Sequence, residues 1–499
     1  MKVSVLFGSA GIKYPRDAEN IEISGIVTDS RDASVGCVFI CIKGGTHDGH
    51  RHIEEAILAG ARVIVAEQVR DEGVGGAATI YVENTRRAAA LLYNAWYGDP
   101  ARDMKLIAVT GTNGKTSVSS IMKSIFEADG RRSGLIGTVG CMSGDRQLET
   151  RGRDPNANMT TPDPSELYRL LSLMREGGVK YVFMEASSHA LQLHKLDALN
   201  FDIALFTNLT QDHLDFHGDM ESYFEAKARL FGRCRRAIIN IDDRWSERMI
   251  SACKTDEIYT LSTKKEADIS VSGIKYLGAR GSEFVLRYPD GETKIKISLA
   301  GNFFVQNAAL AASAALVCGI SPDIISKALG SLSGIDGRME RVELGEAARI
   351  SVFIDYAHTP DALENLLRSV GTLKKERRQR TILVFGCGGE RDRSKRAQMA
   401  RIASRLADMM VVTSDNSRGE APERIFSDIL KGVDKEKEYC VIPDRADAIS
   451  FAVRAARAGD IVVLAGKGHE RYEIDRTGKH PFDERKIVKE AYKRYYTDN

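Results

Sequence analysis

The sequence predicts an α/β fold divided into three domains, and three observations predict it. Short apolar or β-branched runs recur along the chain, at 63–66, 106–109, 181–184, 203–206, 237–241, 381–385, 409–413 and 461–464. Between many of them lie helical patterns such as 117–128 and 360–370. Strands alternating with amphipathic helices imply parallel sheets joined by crossover helices. The third observation is length: 499 residues make about three domains of roughly 150 residues each. Two seams divide the chain. Tyr97-Gly98-Asp99-Pro100 ends a helical stretch ahead of an apolar run, and Ser333-Gly334-Ile335-Asp336-Gly337 ends another before a new series of strands. Gly frees the backbone and Pro restricts it, so such clusters punctuate regular structure. The expected domains are 1–100, 101–335 and 336–499.

Composition narrows the function. Lys+Arg number 71 and Asp+Glu 69, a net charge of +2, which disfavours a nucleic-acid binder driven by bulk charge. No run of about 18 apolar residues occurs, so no membrane insertion is expected. The opening stretch, MKVSVLFGSAGIKYPRD, is too short in apolar length and too soon charged for a secretory signal. The eight cysteines are scattered, and Cys37 and Cys41 lack the second pair that a zinc site needs. Free thiols in a reducing cytoplasm are the expectation.

The strongest motif runs from Leu106 to Ser117: an apolar strand, then Thr110-Gly111-Thr112-Asn113-Gly114-Lys115-Thr116, then a helix starting at Lys115 or Thr116. Backbone N–H groups at such a turn and helix N-terminus point at an anion. Lys115 is expected to reach the β- and γ-phosphates of a nucleotide and the Thr116 hydroxyl to sit on Mg²⁺. The usual first glycine of a phosphate loop is Val109 here, which makes the loop compact and disfavours an ordinary GTPase or motor. Glu185 closes the strand 181–184, where open α/β sheets place their chemistry, and its carboxylate can share the Mg²⁺ with Thr116. Asn208, Asp212, His213 and Asp215 crowd the end of strand 203–206 and suit a second divalent ion. The segment 223–231 reads as a helix, on which composition alone makes Lys227 an ordinary lysine.

Three further strand ends fall in the last domain: Gly386 to Asp392 with Arg391, Thr413 to Arg418, and Gly466 to Glu470. Arginines, an Asn/Asp pair and a Glu suit an amino acid carrying both charges. Arg418 offers a bidentate fork to a second carboxylate.

These motifs together resemble the ATP-dependent Mur ligases, over nearly the whole chain, and within them the synthetases that add the third residue of the peptidoglycan stem. The resemblance rests on the T-G-T-N-G-K-T loop, Met184-Glu185-Ala186-Ser187-Ser188-His189-Ala190-Leu191, Asn208 through Asp212-His213-Leu214-Asp215, and Tyr223-Phe224-Glu225-Ala226-Lys227. Thr28-Asp29-Ser30-Arg31 and Val35-Gly36-Cys37-Val38-Phe39 look like the family's UDP-binding domain, which would put Ser30 on the substrate. The resemblance implies a UDP-sugar-binding domain, a central ATP-binding P-loop domain with a mainly parallel sheet, and a C-terminal Rossmann-like domain for the amino acid. It implies two Mg²⁺ ions, and carbon dioxide bound as a carbamate on Lys227 beside His213. It gives nucleotide contacts to Gly111, Thr112, Asn113, Gly114, Lys115, Thr116, Ser117, Asn307, Arg338 and Asp355. Substrate contacts fall to Thr160, Thr161, Ser187, Lys195, Arg391, Asp415, Asn416, Arg418, Gly466 and Glu470.

The implied reaction joins meso-diaminopimelate to UDP-N-acetylmuramoyl-L-alanyl-D-glutamate through an acyl phosphate, in a cytoplasmic monomer. Three departures stand out: Phe304 where the family often has Asn, Leu193 and Lys195 where it often has Gln and Arg, and Ser417 in place of the Pro of D-N-P-R. Lysine or ornithine as the added residue, the D-alanyl-D-alanine-adding ligase, a folylpolyglutamate synthetase and a non-catalytic ATP-binding protein are the alternatives. Closure of the last domain would assemble the site, with Gly334 and Gly337 as hinge positions.

Overall fold

A computed structural model describes residues 1–44, 47–67, 75–151, 159–345, 347–374, 376 and 378–497. Its strands fall into three main sheets that follow one another along the chain. The first has four parallel strands in chain order, Gly25–Val27, Cys37–Ile40, Val63–Ala66 and Ala78–Tyr81.

The second sheet is built around Lys105–Thr110, which lies parallel between Tyr181–Glu185 and Phe201–Phe206. The apolar run that predicts this strand is buried throughout, from Leu106 to Val109. Cys234–Asn240 and Ile258–Ser262 extend the sheet in parallel on one side and Ser133–Gly137 on the other. The chain therefore fills one flank of Lys105–Thr110 before crossing to the second. That makes the carboxyl end of this strand a topological switch point, the place where open α/β sheets bind ligands. Both ends of the sheet turn antiparallel, through Gly140–Ser143 and Arg146–Leu148 at one end, and Ile269–Tyr276, Ser282–Tyr288 and Gly291–Ile297 at the other. The expected strand–helix alternation left out this meander, whose strands alternate buried and exposed residues as a one-sided sheet does.

The Lys115–Ala128 helix crosses over this sheet and packs on the Phe303–Val317 helix, whose run of alanines is buried along most of its length. Small side chains on one partner let two helix axes approach closely. This brings Asn307 down onto the loop that precedes Lys115.

The third sheet has the order Glu340–Arg341, Ser351–Asp355, Ile461–Ala465, Thr381–Phe385, Met409–Val412, Glu438–Val441, all parallel but the first. Its strand ends are tied by a fully buried ion pair: Arg445 donates from Nε to Glu484 at 2.8 Å, from Nη1 to the Ser414 carbonyl at 3.1 Å and from Nη2 to the Ala465 carbonyl at 3.0 Å. Removing one partner of such a pair strands the other charge. Glu484→Ala is expected to lower the unfolding free energy by about 3–5 kcal/mol, read from urea denaturation midpoints at constant slope.

Candidate functional site

The loop after Lys105–Thr110 is shaped by two glycines. Gly111 has φ +148° and a Cβ there would lie 1.8 Å from Thr207 Oγ1; Gly114 has φ +90° and its Cβ would lie 2.6 Å from Asn307 Oδ1. A side chain at either position would have to displace Thr207 or Asn307 and would strain a backbone with positive φ. Gly114 caps the Lys115–Ala128 helix without a side-chain acceptor, so the first-turn N–H groups carry the helix's partial positive charge towards open space. Thr112 donates its hydroxyl to the Thr210 carbonyl at 3.0 Å, and the Asn113 amide N–H is held by Asn208 Oδ1 at 2.9 Å. Asn113 Nδ2 reaches across to Asp361 Oδ2 at 2.7 Å, linking the loop to the third sheet's first helix. Ser117 is buried in the first helical turn.

Three predicted groups meet behind this loop. Thr116 donates its hydroxyl to Glu185 Oε2 at 3.0 Å, and Arg338 Nη2 donates to the same Thr116 oxygen at 2.9 Å. Glu185 is completely buried and also accepts from the Thr138 amide at 2.8 Å and contacts the Thr138 hydroxyl at 2.9 Å. Thr138 has no part in the expected site. Its only signal is its place just after the Ser133–Gly137 strand, another carboxyl strand end. Arg338 lies over the Tyr356 ring at 4.7 Å, and its buried Nε has no partner among the described residues. An orphaned guanidinium N–H beside a helix N-terminus is suited to a phosphate.

Lys115 folds back over the loop, donating to the Gly111 and Thr112 carbonyls at 2.9 Å each. Burial lowers its pKa, opposed by the charges of Glu185 and Asp212. Lys227, from the Met220–Ala228 helix, donates to the same Gly111 carbonyl at 2.9 Å. It is buried, and burial followed by the Lys115 charge pushes its pKa well below the ordinary lysine value. Lys227 Nζ stands 4.4 Å from the centre of the Tyr223 ring, and the His213 ring centre is 6.3 Å from the same ring.

His213 sits in the left-handed region, φ +53°, beside Asp212 at 3.2 Å, with its pKa drawn down to about 3, by burial first. A neutral imidazole of this kind is free to ligate. His189 stacks edge-on to it at 4.7 Å, with Phe216 and His217 around them. His189 stands inside a recognised motif and His217 two residues beyond another, yet nothing in their spacing marks the ring cluster.

The expected substrate residues around this centre also converge. Thr161 donates its hydroxyl to the Glu185 carbonyl at 2.7 Å and contacts Ser187 Oγ at 3.1 Å, while Thr160 touches Thr138 at 3.1 Å. Lys195 pairs with Asp163 at 2.8 Å. Ser30 lies with the first sheet, its hydroxyl given to Glu55 Oε2 at 2.9 Å.

The structure adds detail at three positions singled out in the sequence. Asp355 is buried and accepts from the Met339 and Ala357 amides at 2.6 and 2.8 Å; its carboxylate thus braces the turn that presents Arg338. Burial raises its pKa against the Arg338 charge. Phe304 points into the core and pairs with Phe303, so the position where the family often has Asn adds no polar group. Gly337, an expected hinge, is wedged: a Cβ there would lie 2.0 Å from the His469 amide nitrogen.

The second cluster lies at the carboxyl ends of the third sheet. Arg391 and Arg418 flank Gly388, with Arg418 in the left-handed region and bonded to the Gly389 carbonyl at 2.9 Å. Burial, then the charge of Arg391, lowers the Arg418 pKa. Asn416 Nδ2 donates to Glu470 Oε2 at 2.8 Å, and Asp415 approaches Gly466, where a Cβ would lie 2.5 Å from its Oδ2. Burial, then the Asp415 charge, raises the Glu470 pKa. Among the described residues no carboxylate lies within salt-bridge distance of Arg418 or Arg391, and the two guanidinium groups stand near the Asp415 and Glu470 carboxylates.

No three His, Cys, Asp or Glu side chains converge as a ready-made metal centre among the described residues. The Thr116 and Glu185 oxygens nevertheless fit Mg²⁺, which takes few protein ligands and completes its shell with water and phosphate oxygens. Lys227 as an amine does not fit Mg²⁺; bearing a carboxylate, it does.

Comparison with known proteins follows the same geography. Family models described as "Mur ligase family, catalytic domain", "Mur ligase middle domain" and "Mur ligase, glutamate ligase domain" match residues 22–97, 109–315 and 337–468. The chain is similar to the UDP-N-acetylmuramoyl-L-alanyl-D-glutamate--2,6-diaminopimelate ligases of Syntrophomonas wolfei, 42% identical over 98% of this chain and 99% of that one, and of Caldanaerobacter subterraneus, 42% identical over 96% and 97%. A solved structure of a ligase of the same name superposes with TM-score 0.69 at 31% identity, covering 98% of this chain and 99% of the other.

Proposed function

We infer from one premise, that this chain belongs to the Mur ligase family, that it is an ATP-dependent ligase adding 2,6-diaminopimelate, in its meso form, to UDP-N-acetylmuramoyl-L-alanyl-D-glutamate. The observation that carries this is the pairing of two sites on one chain. One is a phosphate loop with Lys115, Arg338 and Glu185 around it; the other is a crevice holding Arg391 and Arg418 opposite Asp415 and Glu470. The division 1–100, 101–335 and 336–499 is supported by the succession of three sheets.

The chemistry follows from the charges. A γ-carboxylate oxygen of the D-glutamate attacks the γ-phosphorus of ATP, the bond to ADP breaks, and an acyl phosphate forms. The diamino acid's amine then attacks that carbonyl carbon, the C–O bond to phosphate breaks, and the amine loses a proton. Both steps need stabilisation of spreading negative charge more than strong acid–base groups. The first-turn N–H groups, Lys115 and the unsatisfied edge of Arg338 supply it. Thr116 and Glu185 would hold one Mg²⁺, and His213 with a carbamylated Lys227 a second; when bound, such ions would supply further neutralisation of phosphate charge. Asp355 holds Arg338 in place, and Asn307 packs on Gly114 where the nucleotide base would enter. Ser30, Thr160, Thr161, Ser187 and Lys195 are assigned to the UDP-linked substrate, and Gly111 through Ser117 to the nucleotide.

Arg418 decides among diamino acids. Diaminopimelate has a second carboxylate and lysine does not, so the guanidinium fork is the discriminating group. Loss of a charge-assisted hydrogen bond of about 1.5–3 kcal/mol corresponds to about 10–150-fold. Arg418→Leu is expected to raise KM for diaminopimelate by that factor while leaving KM for ATP within about twofold. Phosphate release is to be measured with diaminopimelate, lysine and ornithine side by side. Release that needs both the UDP-dipeptide and diaminopimelate supports the assignment; preference for lysine or ornithine moves the chain to the alternative specificity. Among the described residues no helix is long and apolar enough to cross a membrane, and we assign the enzyme to the cytoplasm as a monomer.

A further inference from the structure

Lys467 is a buried charge that the reaction above does not use. Its side chain is completely inaccessible, and no carboxylate lies within ion-pair distance of it among the described residues. Instead its Nζ donates to Asn416 Oδ1 at 2.9 Å and to the Tyr472 carbonyl at 3.0 Å. The Asn416 oxygen takes a second donor, the Ile474 amide, at 3.0 Å. A primary amide is nearly symmetric in shape, so its two ends are distinguished only by what they bond. Turned over, Asn416 would set its NH₂ against an ammonium and an N–H. With Oδ1 pinned, Nδ2 faces Glu470 and holds Oε2 at 2.8 Å. The Lys467 charge also favours the ionised forms of Asp415 and Glu470.

We propose that Lys467 is a positioning residue for the amino-acid crevice: acting through Asn416, it fixes the Glu470 carboxylate to receive the ammonium of the incoming diamino acid. This rests on reading the crevice as the diamino-acid site. Lys467 itself touches no substrate.

The test uses Lys467→Met, which keeps the stem length and removes the charge and donor. Losing a charge-assisted hydrogen bond to a buried acceptor costs enough to raise KM for diaminopimelate about tenfold, with the Ile474 amide still on Asn416 Oδ1. KM for ATP and for the UDP-dipeptide should stay within about twofold. Because Lys467 acts mainly through Asn416, the double variant Lys467→Met/Asn416→Ala should lie close to Asn416→Ala alone and well short of the product of the two losses. Lys467→Gln, which retains a donor in similar volume, is expected to fall between wild type and Lys467→Met, and it serves where the Met variant does not fold. Equal changes in all three KM values, an unchanged KM for diaminopimelate, or multiplicative losses in the double variant overturn the proposal. Wild-type enzyme that fails to use diaminopimelate at all would instead overturn the reading of the crevice.

Discussion

Lys115→Ala is expected to abolish turnover, with kcat for phosphate release falling by about 10³-fold or more. The reason lies in where the ammonium is held. It is parked on the Gly111 and Thr112 carbonyls at the mouth of a loop whose helix amides are uncapped. A nucleotide's phosphates entering that space meet a cation already within reach and only weakly committed. The substitution removes two hydrogen bonds to carbonyls that solvent or Lys227 can still serve, and no core atom. The melting temperature should therefore move by only a few degrees, which separates lost chemistry from lost folding. Lys115→Arg should not restore the rate, because a planar guanidinium cannot place one compact charge over the Gly111 and Thr112 carbonyls as the ammonium does. A near-normal rate for Lys115→Ala, with all three substrates saturating, would reject the phosphate-loop assignment.

What could be read in advance was what depends on local pattern. The strands at the centres of both large sheets are continuous apolar runs because they are covered on both faces, and such runs stand out. The phosphate loop is legible because its glycines are forced by backbone geometry: at Gly111 and Gly114 a Cβ would collide with Thr207 and Asn307. The antiparallel meander was not legible, since half of each of its strands faces solvent and reads as polar sequence.

Groups that act by arrival from afar were equally silent. Thr138 meets Glu185 across 47 residues of chain, Asp361 meets Asn113 across 248, and Lys467 meets Asn416 across 51. None of these pairings leaves a spacing signature, because the contact exists only once the sheets have ordered their strand ends. Asp355 gains a local contact that its sequence position does not announce. A strand-end carboxylate in a nucleotide protein suggests ribose, and this one also accepts from two backbone amides, bracing the turn that presents Arg338.

Lys227→Ala is expected to lower kcat about a hundredfold, as loss of a metal-site group does, and added acetate or formate should return at least about a tenth of the lost rate. The unmodified lysine is badly placed electrostatically: it and Lys115 donate to one carbonyl oxygen, two cations on a single partial negative charge. Burial and that repulsion hold Lys227 well below its ordinary pKa, which favours the amine with its free lone pair over the ammonium. Carbon dioxide would add to such an amine by forming an N–C bond with loss of one N–H proton, changing the site from a would-be cation to an anion. The repulsion with Lys115 would become attraction, and Lys227 would offer a metal the hard oxygen donor that the amine lacks. A short carboxylic acid diffusing into the Lys227→Ala cavity supplies the same charge and oxygens without the tether. The sign of the pH dependence follows from the depressed pKa: carbamate is retained above it and lost as acid protonates the amine. Carbon-13-labelled bicarbonate should give a carbamate resonance in the wild type that is missing from Lys227→Ala. Absence of that resonance in the wild type, together with no response of the variant to either acid, would leave Lys227 as a structural amine and remove the second ion from the mechanism.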